Sequence, residues 1–391
     1  MAGRQDRKQV TDVYSGFEQG PIRPPSEASS LLIRLTRNCP WNRCTFCSVY
    51  KGRRFSLRSP ENIIKDIDLI HTYIHQIKAH VEPGQVMDQE AVNTLYRRLA
   101  VKDRVAFNAA MNWYASGMNS VFLQDANSLI MKPARLIQVL THLKTCFPEI
   151  CRITSYARSH TLLRIRLADL EQMGQAGLNR IHIGMESGSD RVLKRINKGV
   201  TKDGHIRAGR KVRAAGIGLS EYVMPGLGGM DLSIDHALET ASALNAINPE
   251  YIRFRTLAVI PGTPLAKEQE AKDFEKASDA MVAKELRLLL ESLGQIDSRV
   301  KSDHILNLFE TLEGRLPHDK DKMIRIIDRF FELSEDDRVI YQLGRRMGFF
   351  RGPADMVASP HLQQVREACI GFGVTPANVD EIINQLMKRF V

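Results

Sequence analysis

Residues 31–50, LLIRLTRNCPWNRCTFCSVY, constrain this chain more than any other stretch. They open as a strand over 31–36, where Leu31, Ile33 and Leu35 alternate with Leu32, Arg34 and Thr36 at the period of a half-buried strand. The strand runs into Cys39, Cys44 and Cys47, which are separated by four and then two residues. Three cysteines so close behind a strand are a metal-loop signal. Thiolates favour zinc, Cu(I) or iron–sulfur clusters, and structural zinc takes four protein ligands. No fourth cysteine lies near, and the closest histidine in sequence is His71. Three thiolates on a four-iron cluster would leave one iron open. Pro40, Asn42 and Arg43 between the thiols do not suit buried core cysteines.

Strand and helix then alternate along the chain. Further strands are expected at 120–124, 152–158, 180–186, 217–224 and 251–257, with helices at 132–146, 162–176, 189–196, 203–215 and 231–246. Six such strands imply parallel βαβ units and an α/β fold. Ile64, Ile67, Ile70 and Ile74 recur at helical spacing within 61–81, EPGQ breaks that helix at 82–85, and two more helices follow at 88–99 and 102–116. After Pro264 the patterns are helical only, at 266–294, 303–313, 319–333, 335–347 and 377–390. The expected organisation is an N-terminal arm over 1–30, an α/β domain over 31–265 and a helical domain over 266–391.

Composition narrows the class. No apolar run approaches a membrane span, and the N-terminus has no apolar core of a signal peptide, so a cytoplasmic protein is expected. Three of the six cysteines are clustered, which suits a reducing compartment and metal binding rather than a disulfide framework. Cys146, Cys151 and Cys369 are scattered and read by default as small buried residues. A net charge of +10 permits an anionic partner, nucleic acid included. No run of five or six basic residues marks a nucleic-acid tail, so that partner is not favoured.

The cysteine loop, with Phe46 just before its last cysteine, resembles that of the radical S-adenosylmethionine (radical SAM) enzymes, although the first gap is four residues where three is usual. Three later blocks strengthen the likeness: RIHIGMESGSDRVLKRINKG at 180–199, EYVMPGLGG at 221–229 and TLAVIPGTP at 256–264. They are similar to successive strands of the branch holding coproporphyrinogen dehydrogenase, the Elongator catalytic subunit and the methylthiotransferases. The resemblance implies a partial (β/α)6 TIM-like barrel with a helical C-terminal domain. It implies a 4Fe-4S cluster on Cys39, Cys44 and Cys47, and S-adenosyl-L-methionine (SAM) bound to the open iron. By position, Asp125 and Asn127 fall at the SAM amino group, Glu186 and Glu221 at the ribose, and Lys198 at the SAM carboxylate. Gly226, Gly228 and Gly229 fall where the backbone nears the adenosyl group, and Phe46 belongs to the same cofactor shell. Gln124 and Asp125 depart from the glycine segment usual there.

The implied activity is reductive cleavage of SAM to a 5′-deoxyadenosyl radical that abstracts hydrogen from a substrate, with flavodoxin or ferredoxin as electron donor. Inward residues alternate along barrel strands. Strand phase therefore nominates Arg34, Arg158, His182, Arg253 and Arg255 as a lumen set for an anionic small molecule, with His182 in phase with Glu186. Guanidinium groups suit carboxylate or phosphate capture. Two rival functions stand beside this one: an RNA-modifying radical SAM enzyme, and a non-catalytic haem-binding cluster protein.

Overall fold

The computed structural model describes residues 12–80 and 88–388. The EPGQ break and the last residues of the expected final helix lie outside them. The chain forms two compact units. The first comprises the described residues of Met1–Pro40, Arg53–Tyr156 and Gln172–Asn179, and the second Trp41–Gly52, Ala157–Glu171 and Arg180–Val391.

The first unit begins with strand β1 (Leu31–Arg34), followed by a small antiparallel pair, β2 (Thr36–Arg37) with β3 (Ser56–Leu57). Helix α1 (Pro60–Ala79) starts where Ser59 accepts from the Asn62 N–H and Pro60 supplies a preset first turn. Its core stripe is Ile63, Ile67, Ile70, Ile74 and Ile77, all buried; Ile63 takes the place expected of Ile64, which is only half-buried. Each such side chain contributes roughly 1.5–3 kcal/mol by burial. Helices α2 (Gln89–Arg98) and α3 (Arg104–Ala115) follow, then β4 (Ser120–Gln124), α4 (Pro133–Cys146) and β5 (Arg152–Ala157). Strand β4 pairs in parallel with β1 and with β5. All five β4 residues are buried, as in a strand covered on both faces. The arm is fastened down: Asp12 accepts from the Ser59 N–H at 2.7 Å, and Gln124 bonds Gly20 and Ile22 through both ends of its amide.

The expected helix at 162–176 is two pieces, α5 (Ser159–Leu162) and α6 (Leu167–Gln175). The second unit then runs through β6 (Leu178–Glu186), α7 (Asp190–Arg195), α8 (Lys202–Ala214), β7 (Gly218–Val223), α9 (Ser233–Ile247) and β8 (Tyr251–Phe254). Strands β6, β7 and β8 are mutually parallel. Helices α10 (Pro264–Glu270) and α11 (Asp279–Ser292) follow.

Two strands depart from an all-helical C-terminal region: β9 (Arg299–Lys301), parallel to β8, and β10 (Gly314–Arg315), antiparallel to β9. Val300 is the single apolar residue of β9, so no alternation could announce it. The segment expected as a helix at 303–313 is irregular. Its apolar residues Leu306, Phe309 and Leu312 are buried at helical spacing, but its polar groups are used elsewhere. Asn307 accepts from the Thr256 N–H and donates to the Phe254 carbonyl at 2.8 Å each, continuing the edge of β8. The rest is helical: α12 (Lys320–Glu332), α13 (Glu335–Arg346), α14 (Pro353–Ala358), α15 (Leu362–Gly371) and α16 (Val379–Met387).

Helix α13 is anchored by charge. Arg346 is 2 % exposed and donates to both Asp279 oxygens, at 2.9 and 3.1 Å. Removing one partner of a buried pair strands the other charge, at a cost of about 3–5 kcal/mol. Asp279→Ala should lower the unfolding free energy by that amount in denaturant titrations. A loss below about 1 kcal/mol, the scale of an exposed pair, would show that the pair carries no such strain.

Candidate active site

The second unit gathers most of the residues nominated by sequence. Strand β6 ends at Glu186, whose φ of 67° puts a non-glycine residue in the left-handed region. Such residues cluster at functional sites because surrounding contacts must hold them there. Its carboxylate accepts from Lys198 Nζ at 3.0 Å, and both side chains are largely buried. Gly184 makes the room: a Cβ there would lie 2.3 Å from Glu186 Oε1. The pairing with β7 shifts register between Gly184 and Glu186. That shift breaks the strict alternation on which the shared phase of His182 and Glu186 rested. His182 is fully buried and packs edge-on to Tyr222 at 5.6 Å.

The cysteine loop of this unit is seated on the turn that carries Lys198. Trp41 donates to the Asn197 carbonyl at 2.7 Å, and a Cβ on Gly199 would come within 2.4 Å of its ring. Gly199 at φ 72° is therefore required twice, by conformation and by the indole. Thr45 donates its N–H to the Ile196 carbonyl at 3.0 Å. Phe46 packs on the apolar cluster of Val192, Ile196, Met224, Leu227, Leu257 and Leu265. Arg158 lies over the Trp41 ring at 4.9 Å and donates to the Lys198 carbonyl at 2.6 Å. Burial holds the Cys44 thiol above its ordinary value; Lys198 and Arg158 oppose this, and Cys47 and Glu186 add to it. Cys47 is half-buried in the same loop.

Glu221 sits at the middle of β7, paired in register with Ile183 and Ile252. It is fully buried, and neither carboxylate oxygen has a hydrogen-bond partner. Burial holds its proton on to well above the usual carboxylate range; Lys198 opposes this and Glu186 adds to it. Each bond left unmade by a buried group costs about 1–3 kcal/mol.

The glycine loop has an internal explanation. A Cβ on Gly228 would lie 2.7 Å from the Leu232 carbonyl oxygen, and one on Gly229 2.7 Å from that of Glu275. Gly226 donates to Glu285 at 2.7 Å, and Glu285 also accepts from Ser233. The space of the missing side chains at Gly228 and Gly229 is taken by this chain's own backbone, so close approach to a ligand is not needed to account for them.

In the first unit, Asp125 and Asn127 are both buried after β4. Asp125 Oδ2 accepts from Arg34 Nη2 at 2.7 Å, from Arg34 Nε at 3.0 Å and from the Asn38 N–H at 3.2 Å, one residue before the half-buried Cys39. Glu18 of the arm takes the other side of Arg34 at 3.2 Å. Arg253, for its part, pairs with Asp303 at 2.9 Å and lies over Tyr251. These two arginines of the nominated lumen set therefore have acids of their own. Their partners come from the arm and from the segment after β9, which strand phase could not reveal. Arg255 is half-buried and, with burial as the larger cause, helps push His304 down to about 4. The sequence reading missed Trp41 and Gly184; an aromatic inside a cysteine loop and a glycine two before a strand-end glutamate were the available signals.

Glu221 sets a pH test. The folded chain keeps this proton above the unfolded carboxylate value of about 4.3, so it binds more protons than the unfolded chain over that window. Stability from this group is full below the unfolded value and falls as pH rises toward the folded one. Glu221→Gln keeps the shape and does not titrate. Its unfolding free energy minus that of the parent should grow as pH rises above the unfolded value of about 4.3. A difference independent of pH would mean that Glu221 is ionised in the folded chain.

Comparison with known proteins follows this geometry. The family model described as the radical SAM superfamily matches residues 106–241. The chain is 26% identical over 228 residues to a 4'-phospho-dehydrooxetanocin synthase of Priestia megaterium, covering 56% of this chain and 27% of that protein. It is 23% identical over 278 residues to a tRNA-2-methylthio-N(6)-dimethylallyladenosine synthase of Flavobacterium johnsoniae, covering 68% of this chain and 50% of that one. The chain thus spans half or less of the length of these curated relatives. Among solved structures, the cobalamin-dependent SAM radical enzyme OxsB is similar with a TM-score of 0.46 and 16% identity, over 92% of this chain and 54% of that one. Among the described residues no helix is long and apolar enough to cross a membrane. Residues 106–241 thus carry the likeness to the radical SAM superfamily, a family whose cofactors are a 4Fe-4S cluster and S-adenosylmethionine.

Proposed function

We propose that this chain is a radical SAM enzyme that acts on a carboxylate- or phosphate-bearing small molecule. The observation that carries the reading is the convergence of Glu186, Lys198 and the partnerless Glu221 carboxyl beside the Cys44 loop. The residues fit both cofactors. Cys44 has the cations Lys198 and Arg158 beside it, and Cys39 and Cys47 complete the thiol set. Glu221 offers two buried oxygens to the ribose hydroxyls, which a protonated carboxyl can both donate to and accept from. Lys198 would turn from Glu186 toward the SAM carboxylate, and Asp125 and Asn127 would receive its ammonium. When bound and reduced, the cluster supplies the electron that cleaves SAM; the protein orients the sulfonium and excludes water.

An anionic substrate is the narrower part of the reading. Arg255 supports it, since Arg34 and Arg253 already have acidic partners. The name of the Priestia relative, a synthase of a phosphorylated product, points the same way. The match to the Flavobacterium tRNA enzyme and the net charge of +10 keep an RNA substrate as the second reading.

Anaerobically reconstituted protein, reduced in the presence of SAM, should release 5′-deoxyadenosine. Lys198→Ala should weaken SAM binding by roughly 1.5–3 kcal/mol, about ten- to a hundredfold, with the cluster absorbance intact. The Cys39, Cys44 and Cys47 to Ala variant should hold almost no iron. Full iron in that variant, or haem binding with no 5′-deoxyadenosine, would end the proposal. Arg255→Leu should stop turnover while sparing SAM binding, and efficient turnover of a neutral substrate would remove the anionic part alone.

A further inference from the structure

Helices α1 and α4 pack side by side in the first unit, and their shared seam collects metal-binding side chains. Helix α1 supplies Asp68, His71 and His75, and α4 supplies His142 and Cys146. Residues four apart share a helix face, so His71 with His75, and His142 with Cys146, are each a ready chelating pair. The structure brings the pairs together. His142 Nε2 lies 2.6 Å from Asp68 Oδ1 and 3.5 Å from Cys146 Sγ. The ligand atoms of Asp68, His142 and Cys146 all lie within 4.8 Å of one another, and among the described residues this is the one such trio. His71 packs edge-on to Phe147, the residue after Cys146, and its Nε2 is 3.1 Å from that of His75.

These separations are those of a tetrahedral ion. Zinc bonds of about 2.0–2.1 Å to nitrogen and about 2.3 Å to sulfur place N and S about 3.6 Å apart, and two nitrogens about 3.4 Å apart. The observed 3.5 Å between His142 Nε2 and Cys146 Sγ needs little change. The Asp68–His142 contact must open by about 0.8 Å to admit the ion, which a turn of the half-exposed Asp68 side chain provides. The competing explanation is a hydrogen-bonded Asp–His–Cys relay that activates the thiol. It fails on geometry: carboxylate and sulfur converge on a single ring nitrogen, which cannot donate well to both.

We propose that Asp68, His142 and Cys146 form a second metal site for a borderline-soft divalent ion such as zinc, separate in its ligands from the cysteine loop. With donors from both helices, the ion staples α1 to α4. Cys146 must lose its proton to bind, so affinity rises with pH.

The test uses the whole protein carrying its iron–sulfur cluster. After incubation with zinc salt and desalting, zinc and iron are counted by mass spectrometry. The parent should retain about one zinc per chain, and its thermal midpoint should rise with zinc. His142→Ala and Cys146→Ser should each lower retained zinc at least tenfold and abolish the midpoint rise, with iron unchanged. The Cys39, Cys44 and Cys47 to Ala variant should keep its zinc. No retained zinc in the parent, or parent-like zinc in both His142→Ala and Cys146→Ser, would overturn the site. Loss of zinc with the cysteine-loop variant alone would assign the ion to that loop and overturn it equally.

Discussion

The second unit depends on one buried ion pair, Lys198 with Glu186 at 3.0 Å. A carboxylate and an ammonium taken out of water cost several kcal/mol each unless geometry and further bonds repay them. Here the repayment is structural. Glu186 is held at a left-handed residue, Gly184 clears its space, and the Lys198 turn is roofed by Trp41 from the cysteine loop. The pair thereby couples the end of a strand to the loop that carries Cys44. Arg158 locks the same turn from the side, through the Lys198 carbonyl and the face of Trp41. Burial holds the Glu221 proton on above the usual carboxylate range, with Lys198 opposing this and Glu186 adding to it.

Much of the fold was legible because its signals are local. The stripe of isoleucines on α1 and the apolar core of β4 fixed those elements, and all six expected strands form. What failed has a common physical cause. At 303–313 the apolar spacing is helical, yet Asn307 satisfies the edge of β8 instead of a helix. At β9, one buried valine among charged neighbours is a strand only because β8 lies beside it. Both outcomes are set by contacts distant in sequence, which periodicity does not encode.

The site was legible in its residue types and less so in its partners. Glu186 ends β6, Glu221 lies within β7 and Lys198 sits in the turn after α7, so each is held by its own strand or turn. The arginines are different. A strand phase says which way a side chain leaves the backbone, but not whether an acid waits there. For Arg34 the acids are Asp125 and Glu18, and for Arg253 the acid is Asp303. The glycine loop taught the converse: Gly228 and Gly229 are demanded by their own unit's packing before any ligand enters.

The most direct test of this account is a crystal structure of the anaerobically reconstituted protein with SAM bound. The account predicts iron on Cys39, Cys44 and Cys47, the ribose hydroxyls hydrogen-bonded to Glu221, and Lys198 turned from Glu186 to the SAM carboxylate. SAM bound elsewhere, with the Glu221 oxygens still without a partner and the Lys198–Glu186 pair unbroken, would contradict it.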